Sequence, residues 1–172
     1  MNQWSNCELC DLCGTRSNVV GYTGGFPSDL LFIGDAPTAG DNIIGEAFAG
    51  PPRKELNRWV ELARSYTKHE EVKVAFTYLV GCIPLVDGER KVATLKQVAA
   101  CRERLGAILA ICQPRGVILV GDASKPRLKP IYSGPMIHVK HPSSIRGLNS
   151  SKKALEVLRI ITEIKQLMEE VL

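Results

Sequence analysis

The sequence has no long apolar stretch, which limits the kinds of protein it can encode. Its longest apolar runs are far too short to span a bilayer, and its N-terminus lacks the basic-then-apolar layout of a signal peptide. We therefore expect a cytoplasmic protein with no membrane partner. No repeat, low-complexity tract or linker interrupts the 172 residues. This length suits a single domain, residues 1–172, with one proper core.

Strong charge is also lacking, while cysteine is comparatively abundant. The formal net charge is +4, which permits a polyanionic partner without requiring one. Of the six cysteines, three lie in the stretch CELCDLC, from Cys7 to Cys13. In the cytoplasm these thiols should stay reduced, so disulfides are the least favoured interpretation. A CxxC pair alone is compatible with a zinc site, a redox pair or the first two ligands of an iron–sulfur cluster.

Short apolar runs rich in β-branched residues alternate with helical patterns along the chain. The predicted strands are Leu30–Ile33, Val72–Val80, Val117–Val120 and Met136–Val139. The predicted helices are Pro52–Thr67, Thr94–Cys112 and a long segment from Asn149 onward, capped by Asn149 or Ser150. This alternation indicates a parallel sheet covered by helices on both faces. The last helix carries an apolar series that we interpret as core-facing: Leu155, Leu158, Ile161, Ile164 and Met168.

Polar loops follow several of the predicted strands. In parallel α/β sheets, ligands bind beyond the carboxyl ends of the strands. The segment GDAPTAG, residues 34–40, lacks the Walker lysine and the dinucleotide glycine spacing, so it is not a phosphate loop of either kind. The segment HPSSIRG, residues 141–147, brings an imidazole, two hydroxyls and a guanidinium to one edge of the sheet.

Five of these features, taken in order, resemble the family 4 uracil-DNA glycosylases. They are CELCDLCGTR, the GDAPTAG loop running into GEAFAG, Cys82, Cys101 and HPSS. The resemblance covers about residues 7–146. It implies a three-layer α/β/α fold around a central, mainly parallel, four-stranded sheet, and a DNA glycosylase active in base excision repair. The implied partner is DNA with a flipped base, and we expect a monomer.

The resemblance also implies a [4Fe–4S] cluster held by Cys7, Cys10, Cys82 and Cys101. Cys101 shares a helical face with Val98, Leu105 and Ile108, so its thiol should point inward. Structural zinc on the same four cysteines is the alternative. Cys13 is expected to be a bystander and Cys112 a small core residue.

The site residues follow from the same resemblance. His141 matches the histidine that stabilises the departing anionic base, and Asp35 the acid that could orient the attacking water. Phe48 matches the aromatic residue that stacks on the base. The remaining base-binding positions are Ala36, Pro37, Asp41 and Asn42, of which either of the last two could instead cap a turn. The DNA-binding positions are Ser143, Ser144, Ile145 as an apolar wedge, and Arg146 as a phosphate contact.

One departure from the family pattern leaves the substrate open. The family reads uracil with an asparagine, four residues before its third cysteine, and Tyr78 stands at that position. A phenol cannot reproduce the paired donor and acceptor of an amide. Three hypotheses follow: a divergent glycosylase for uracil or a related pyrimidine, a member adapted to a modified pyrimidine, and a non-catalytic DNA-binding descendant.

Overall fold

The strands follow the apolar runs of the sequence closely. The computed structural model describes residues 3–123, 125–129 and 131–172. Its strands are β1 (Thr23–Gly24), β2 (Leu30–Gly34), β3 (Val74–Tyr78), β4 (Leu85–Val86), β5 (Glu89–Arg90), β6 (Gly116–Val120) and β7 (Met136–Val139). All residues of β2 and β6 are buried, as expected of strands that are covered on both faces.

The helices begin at recognisable caps. They are α1 (Ala39–Ile44), α2 (Pro51–Arg64), α3 (Leu95–Ala100), α4 (Arg102–Cys112), α5 (Lys125–Leu128), α6 (Pro142–Arg146) and α7 (Ser150–Val171). The side chains of Thr38, Thr94 and Asn149 accept backbone N–H bonds at the starts of α1, α3 and α7. The Asn149 cap is one of the two alternatives predicted. Within the described part of the chain, no helix is both long and apolar enough to cross a membrane.

The main sheet has the order β1-β3-β2-β6-β7, in which β2, β3, β6 and β7 are parallel. Alternate side chains of β2 point to opposite faces, so Leu30 and Phe32 join one core cluster while Leu31 and Ile33 join the other. Helices α2 and α7 contribute to the first cluster, and α4 to the second. The predicted three-layer α/β/α fold with a mainly parallel sheet is confirmed.

Three details differ from the sequence prediction. The sheet has a fifth strand, the two-residue β1, which pairs antiparallel with β3. The predicted helix Thr94–Cys112 is two helices, because the backbone leaves helical geometry at Cys101 (φ −85°, ψ 3°). On α7, Leu155 and Leu158 are 69% and 61% exposed, so their prediction as core residues is wrong. Ile164 and Met168 are buried as predicted.

Candidate active site

A cleft of about 230 Å³ lies at the carboxyl ends of β2, β3 and β6 and against the loop after β7. This volume is below the ~300–1,000 Å³ of typical small-molecule sites, so the cleft suits a group smaller than a whole nucleotide. The structure brings together seven of the predicted site residues as lining of this cleft: Asp35, Ala36, Phe48, Tyr78, His141, Ser143 and Ser144.

The His141 ring is held by the start of α6. The backbone N–H of Ser143 donates to Nδ1 at 3.2 Å, and the Ser143 hydroxyl lies 2.6 Å from the same nitrogen. Because Nδ1 accepts a backbone proton it cannot carry one, so the neutral ring has its proton on Nε2. Burial lowers the pKa of His141 below its ordinary 6.5; Arg90 acts in the same direction, and Asp122 opposes it. The neutral Nε2–H donor is therefore the favoured form.

Phe48 and Tyr78 form a stacked pair in the cleft. Their ring centroids are 4.7 Å apart with 12° between the planes. The Tyr78 hydroxyl donates to Asp41 Oδ2 at 2.7 Å and accepts from the Phe48 N–H at 3.2 Å. Burial raises the pKa of Tyr78, and the charge of Asp41 raises it further, so the phenol stays protonated. One face of Phe48 is thus covered, and the Tyr78 hydroxyl is engaged both as donor and as acceptor.

The stack depends on the backbone conformation of Phe48 and on the absence of a side chain at Gly34. Phe48 has a φ of 52°, in the left-handed region that a bulky residue rarely adopts. Asp41 accepts from the next amide, Ala49 N–H, at 2.7 Å, and Arg53 donates to the Phe48 carbonyl at 3.2 Å. At Gly34, a Cβ atom would lie 2.7 Å from the Tyr78 ring and 2.8 Å from the Phe48 ring. Glycine is therefore required there for both rings to fit.

Asp35 is buried at the floor of the cleft and ion-paired with Arg127. Its other oxygen accepts from the Ala93 N–H at 2.8 Å. Burial raises the pKa of Asp35 above its ordinary 3.8, while the Ala93 N–H and Arg127 oppose that rise. The ion pair with Arg127 is made by the ionised form of the Asp35 carboxylate. Asp35 thus links the end of β2 to α5 and to the segment before α3.

Five predicted site residues do not line the cleft: Pro37, Asp41, Asn42, Ile145 and Arg146. Asp41 caps α1 and holds the Tyr78 hydroxyl, and Asn42 accepts from the Ser17 N–H at 2.8 Å. The capping by Asp41 is the alternative role considered above, whereas the bond from Asn42 to the N-terminal segment was not predicted. Ile145 is only 2% exposed. A wedge has to protrude, so the structure contradicts the predicted role of Ile145.

Two arginines of the cleft region were missed as site residues. Arg90 lines the cleft and donates to the carbonyls of Ala36 at 2.6 Å and Pro37 at 2.9 Å. Arg127 has a side chain that is 12% exposed and bound to Asp35. Their sequence signal is weak, because each reaches its partner across a long separation: 54 residues for Arg90 and 92 for Arg127.

The four predicted cysteine ligands lie in one region of the structure, but among the described residues no three Cys, His, Asp or Glu side chains are grouped closely enough to hold one metal ion. Cys10 interacts electrostatically with Cys7, Cys82 and Cys101. Cys82 and Cys101 are buried, and burial raises the pKa of the Cys82 thiol to about 11. Cys101 lies in one core cluster with Val98, Leu105 and Ile108, as predicted. Cys13 is exposed and Cys112 is buried.

Two arginines lie beside these thiols without a compensating carboxylate among the described residues. Arg104 is buried and donates to the carbonyls of Val20 at 2.7 Å and Tyr78 at 3.1 Å. Arg16 carries a buried Nη1 atom with no hydrogen-bond partner. Positive charge from both opposes the rise in the pKa of the Cys82 thiol that burial causes. Because a buried cation needs a compensating charge, the donor set fits an anionic group held by thiolates.

The fold and the site define a class of protein. An open, mainly parallel sheet carries a small cleft at the carboxyl ends of its strands, with a neutral histidine as a fixed donor, and this is where α/β domains bind their ligands. The chain belongs to the uracil DNA glycosylase superfamily, whose sequence model matches residues 21–165.

The curated relatives agree with the resemblance to family 4. A type-4 uracil-DNA glycosylase of Archaeoglobus fulgidus is 28% identical over 116 residues, which cover 67% of this chain and 55% of the relative. The Saccharolobus solfataricus protein of the same name is 27% identical over 118 residues, covering 69% and 52%. The Pyrobaculum aerophilum protein is 28% identical over 116 residues, covering 67% and 56%. The chain spans about half the length of these relatives.

Proposed function

We propose that this domain is a DNA glycosylase that flips uracil or a related modified pyrimidine and hydrolyses its N-glycosidic bond, leaving an abasic site. The observation that carries the proposal is the His141 ring, which Ser143 holds as a neutral Nε2–H donor at the edge of the cleft. Membership in the superfamily and the names of the type-4 relatives support the reaction class.

His141 would act on the leaving group. As the bond from N1 to the sugar breaks, the sugar becomes oxocarbenium-like and the base departs as an anion. A donor that is already oriented toward this developing charge lowers the barrier without reorganising. The depressed pKa of His141 supports this role, because the ring donates a hydrogen bond from its neutral form. Arg90, which also lines the cleft, adds positive charge near the departing base.

Asp35 is the candidate for orienting the attacking water. Its carboxylate lines the cleft, and each of its oxygens already accepts one hydrogen bond, from Arg127 or from the Ala93 N–H. An ionised carboxylate has about four acceptor sites, so it can still hold a water. Arg127 would keep the carboxylate ionised and fixed in place.

Tyr78 supports a second candidate for the substrate. Its ring covers one face of Phe48, and its hydroxyl is occupied by Asp41 and the Phe48 N–H. A uracil could neither stack on that face nor find the paired donor and acceptor of an amide there. This occlusion favours either a member adapted to a different modified pyrimidine or a descendant that binds DNA without cleaving the glycosidic bond.

We also propose that Cys7, Cys10, Cys82 and Cys101 hold a [4Fe–4S] cluster, which would tie the N-terminal segment to the loop after β3 and to the α3–α4 junction. A tetrahedral zinc on the same four cysteines is the alternative. The neighbouring thiols and the uncompensated Arg16 and Arg104 support a larger anionic group. The group would be structural.

DNA would approach the cleft over the start of α6. Ser143 and Ser144 are exposed and line the cleft, and Arg146 is exposed at the end of the same helix. Hydroxyls and guanidinium groups are common phosphate contacts. We keep these three residues as the DNA-binding set, and we expect the domain to act as a monomer.

The test uses labelled single- and double-stranded oligonucleotides that carry uracil, hydroxymethyluracil, hypoxanthine or thymine, followed by alkaline cleavage of abasic sites. We expect strand scission on a pyrimidine substrate. His141→Ala should slow it by about 10²-fold or more, as does the loss of a comparable donor elsewhere. His69→Ala, outside the cleft, is the matched control. Tyr78→Asn should increase the rate on uracil relative to the other bases.

The outcomes separate the candidates. Absence of scission on every substrate would contradict both glycosylase hypotheses. Retained DNA binding in that case, measured by gel shift, would support the non-catalytic descendant. Full activity of His141→Ala would contradict the mechanism but not the reaction.

A further inference from the structure

A second, larger concavity lies away from the cleft. It is an open groove of about 790 Å³ between α2, α6 and α7, which we call the α2–α7 groove. Its floor is apolar, and includes Trp59, Ile145, Val157 and Ile161. Leu158 stands at its lip and is 61% exposed. An apolar floor edged by an exposed leucine can receive the apolar side chains of a bound segment.

Helix α6 separates this groove from the candidate active site. Ser143 and Ser144 line the cleft, whereas Pro142, Ile145 and Arg146 line the groove. The two concavities share no lining residue. The groove is therefore not an extension of the base-binding cleft, and Arg146 is the lining residue that it shares with the proposed DNA contacts.

The rim of the groove is positively charged. Lys54, Arg146 and Lys153 line it, and none of them has a carboxylate within salt-bridge distance in the described part of the chain. Among the described residues that line the groove, the one acid is Glu55. It is already engaged, since it accepts from the Trp59 indole N–H at 3.0 Å and lies 3.6 Å from Arg58.

From this juxtaposition we infer that the α2–α7 groove docks an acidic amphipathic segment of a partner protein. Apolar side chains of the segment would cover Leu158 and the floor, and flanking aspartates or glutamates would meet Lys54 and Lys153. A nucleic-acid backbone could pair with the rim, but it has no apolar side chains to fill the floor. Peptide helices that lie in grooves use this combination of apolar anchors and complementary charge.

The experiment uses a fluorescein-labelled synthetic helix with leucines on one face and glutamates on the others, and measures anisotropy against the whole chain. We expect saturable binding that Lys54→Glu/Lys153→Glu weakens about tenfold or more, since each lost charge pair becomes a repulsion. Lys68→Glu/Lys96→Glu is the matched control, because it changes the net charge equally at exposed lysines outside the groove. It should weaken binding less than about twofold. Leu158→Ser, at an exposed position, should also weaken binding.

Each other outcome overturns the inference. No saturable binding of the helix would do so, as would equal loss in the groove double variant and the control double variant. A labelled single-stranded oligonucleotide that displaces the helix would assign the rim to nucleic acid instead. Thermal unfolding of each variant confirms that it is folded before its binding is compared.

Discussion

The protonation of His141 depends on one backbone amide. The Ser143 N–H donates to Nδ1 at 3.2 Å, so a proton on Nδ1 would face another proton. The doubly protonated ring is therefore disfavoured by geometry as well as by burial and by the charge of Arg90. At this scale, the chemistry of the candidate site rests on the turn that begins α6 rather than on the imidazole alone.

We predict that His141 titrates below its ordinary pKa of 6.5 and is the Nε2–H tautomer when neutral. Nitrogen NMR of labelled protein distinguishes the two tautomers, and His141→Gln assigns the signals among three histidines. A lowered pKa means that the unfolded chain binds this proton more tightly. The contribution of this group to the free energy of unfolding should therefore fall as the pH drops below about 6.5. An Nδ1–H tautomer, or a pKa above 6.5, would contradict the assignment.

Tyr78 acts in this structure as a clamp on a strained residue. Phe48 has a φ of 52°, and its N–H is bonded to the Tyr78 hydroxyl, which in turn is held by Asp41. The same hydroxyl therefore orients the aromatic ring and stabilises the loop before α2. Tyr78, which stands where the family has its uracil-binding asparagine, is thus placed to position Phe48.

Tyr78→Phe tests this clamp. The substitution keeps the ring stack but leaves the buried Phe48 N–H unsatisfied, so we expect a loss of about 1–3 kcal/mol in the free energy of unfolding. Urea denaturation measures it. Tyr132→Phe is the matched control, because the Tyr132 hydroxyl makes only long contacts of 3.4 and 3.5 Å, and it should cost less than about 0.5 kcal/mol. Equal losses for the two variants would count against the clamp.

At the scale of elements, α7 shows why its core face was predicted incorrectly. Steps of three residues rotate about 300° around a helix, so a series with that spacing drifts across the surface. Leu155 and Ile164 are nine residues apart and thus face opposite sides. The buried face is instead Ile160, Ile164, Leu167 and Met168, whose spacing mixes steps of one, three and four.

Truncating a side chain should lower the free energy of unfolding far more on the buried face of α7 than on its exposed face. We expect Ile164→Ala to lower the free energy of unfolding by about 2–5 kcal/mol, because it removes a fully buried side chain. Leu155→Ala, at a position 69% exposed, should cost less than about 0.5 kcal/mol. Urea denaturation of the two variants compares them directly. A large loss for Leu155→Ala would mean that this face is buried.

Some elements could be predicted from the sequence because their signal is local. Strands β2, β6 and β7 coincide to within one residue at either end with the short runs predicted as strands. Strand β1 could not be predicted, since Thr23 and Gly24 join the sheet only through backbone pairing with β3. For the same reason the motifs located His141 and Asp35 at strand ends but not the Asp35–Arg127 pair. That pair depends on a tertiary contact across 92 residues.

In the whole molecule, the N-terminal segment is attached to the domain both by apolar packing and by hydrogen bonds. Leu12 is buried in the core, the Thr15 hydroxyl donates to the Ile83 carbonyl at 2.7 Å, and Gln97 donates to Asp11 at 3.1 Å. Cys7 and Cys10 come from this segment, whereas Cys82 and Cys101 belong to the domain beneath it. A shared inorganic group would therefore join three separated parts of the chain.

This connection makes the consequences of losing one thiol predictable. We expect protein purified without oxygen to be brown and to contain iron with acid-labile sulfide. Cys101→Ala should lose the iron, and the group's binding energy would then no longer stabilise the fold. The melting temperature should fall, and the segment around Cys7 and Cys10 should exchange its amide hydrogens faster, while β2 and β6 remain protected.

Cys13→Ala is the matched control for this loss. Its thiol is exposed, whereas that of Cys101 is buried among the other proposed ligands, so Cys13→Ala should keep both the iron and the melting temperature. Elemental analysis distinguishes the alternatives, since zinc without iron would replace the cluster by a tetrathiolate zinc site on the same residues. Retention of metal by Cys101→Ala, or its loss from Cys13→Ala, would show that the ligand set is wrong. The expected result for Cys101→Ala is faster amide exchange that is confined to the N-terminal segment. It would show that the group attaches this segment to the domain, because the sheet has its own core on both faces.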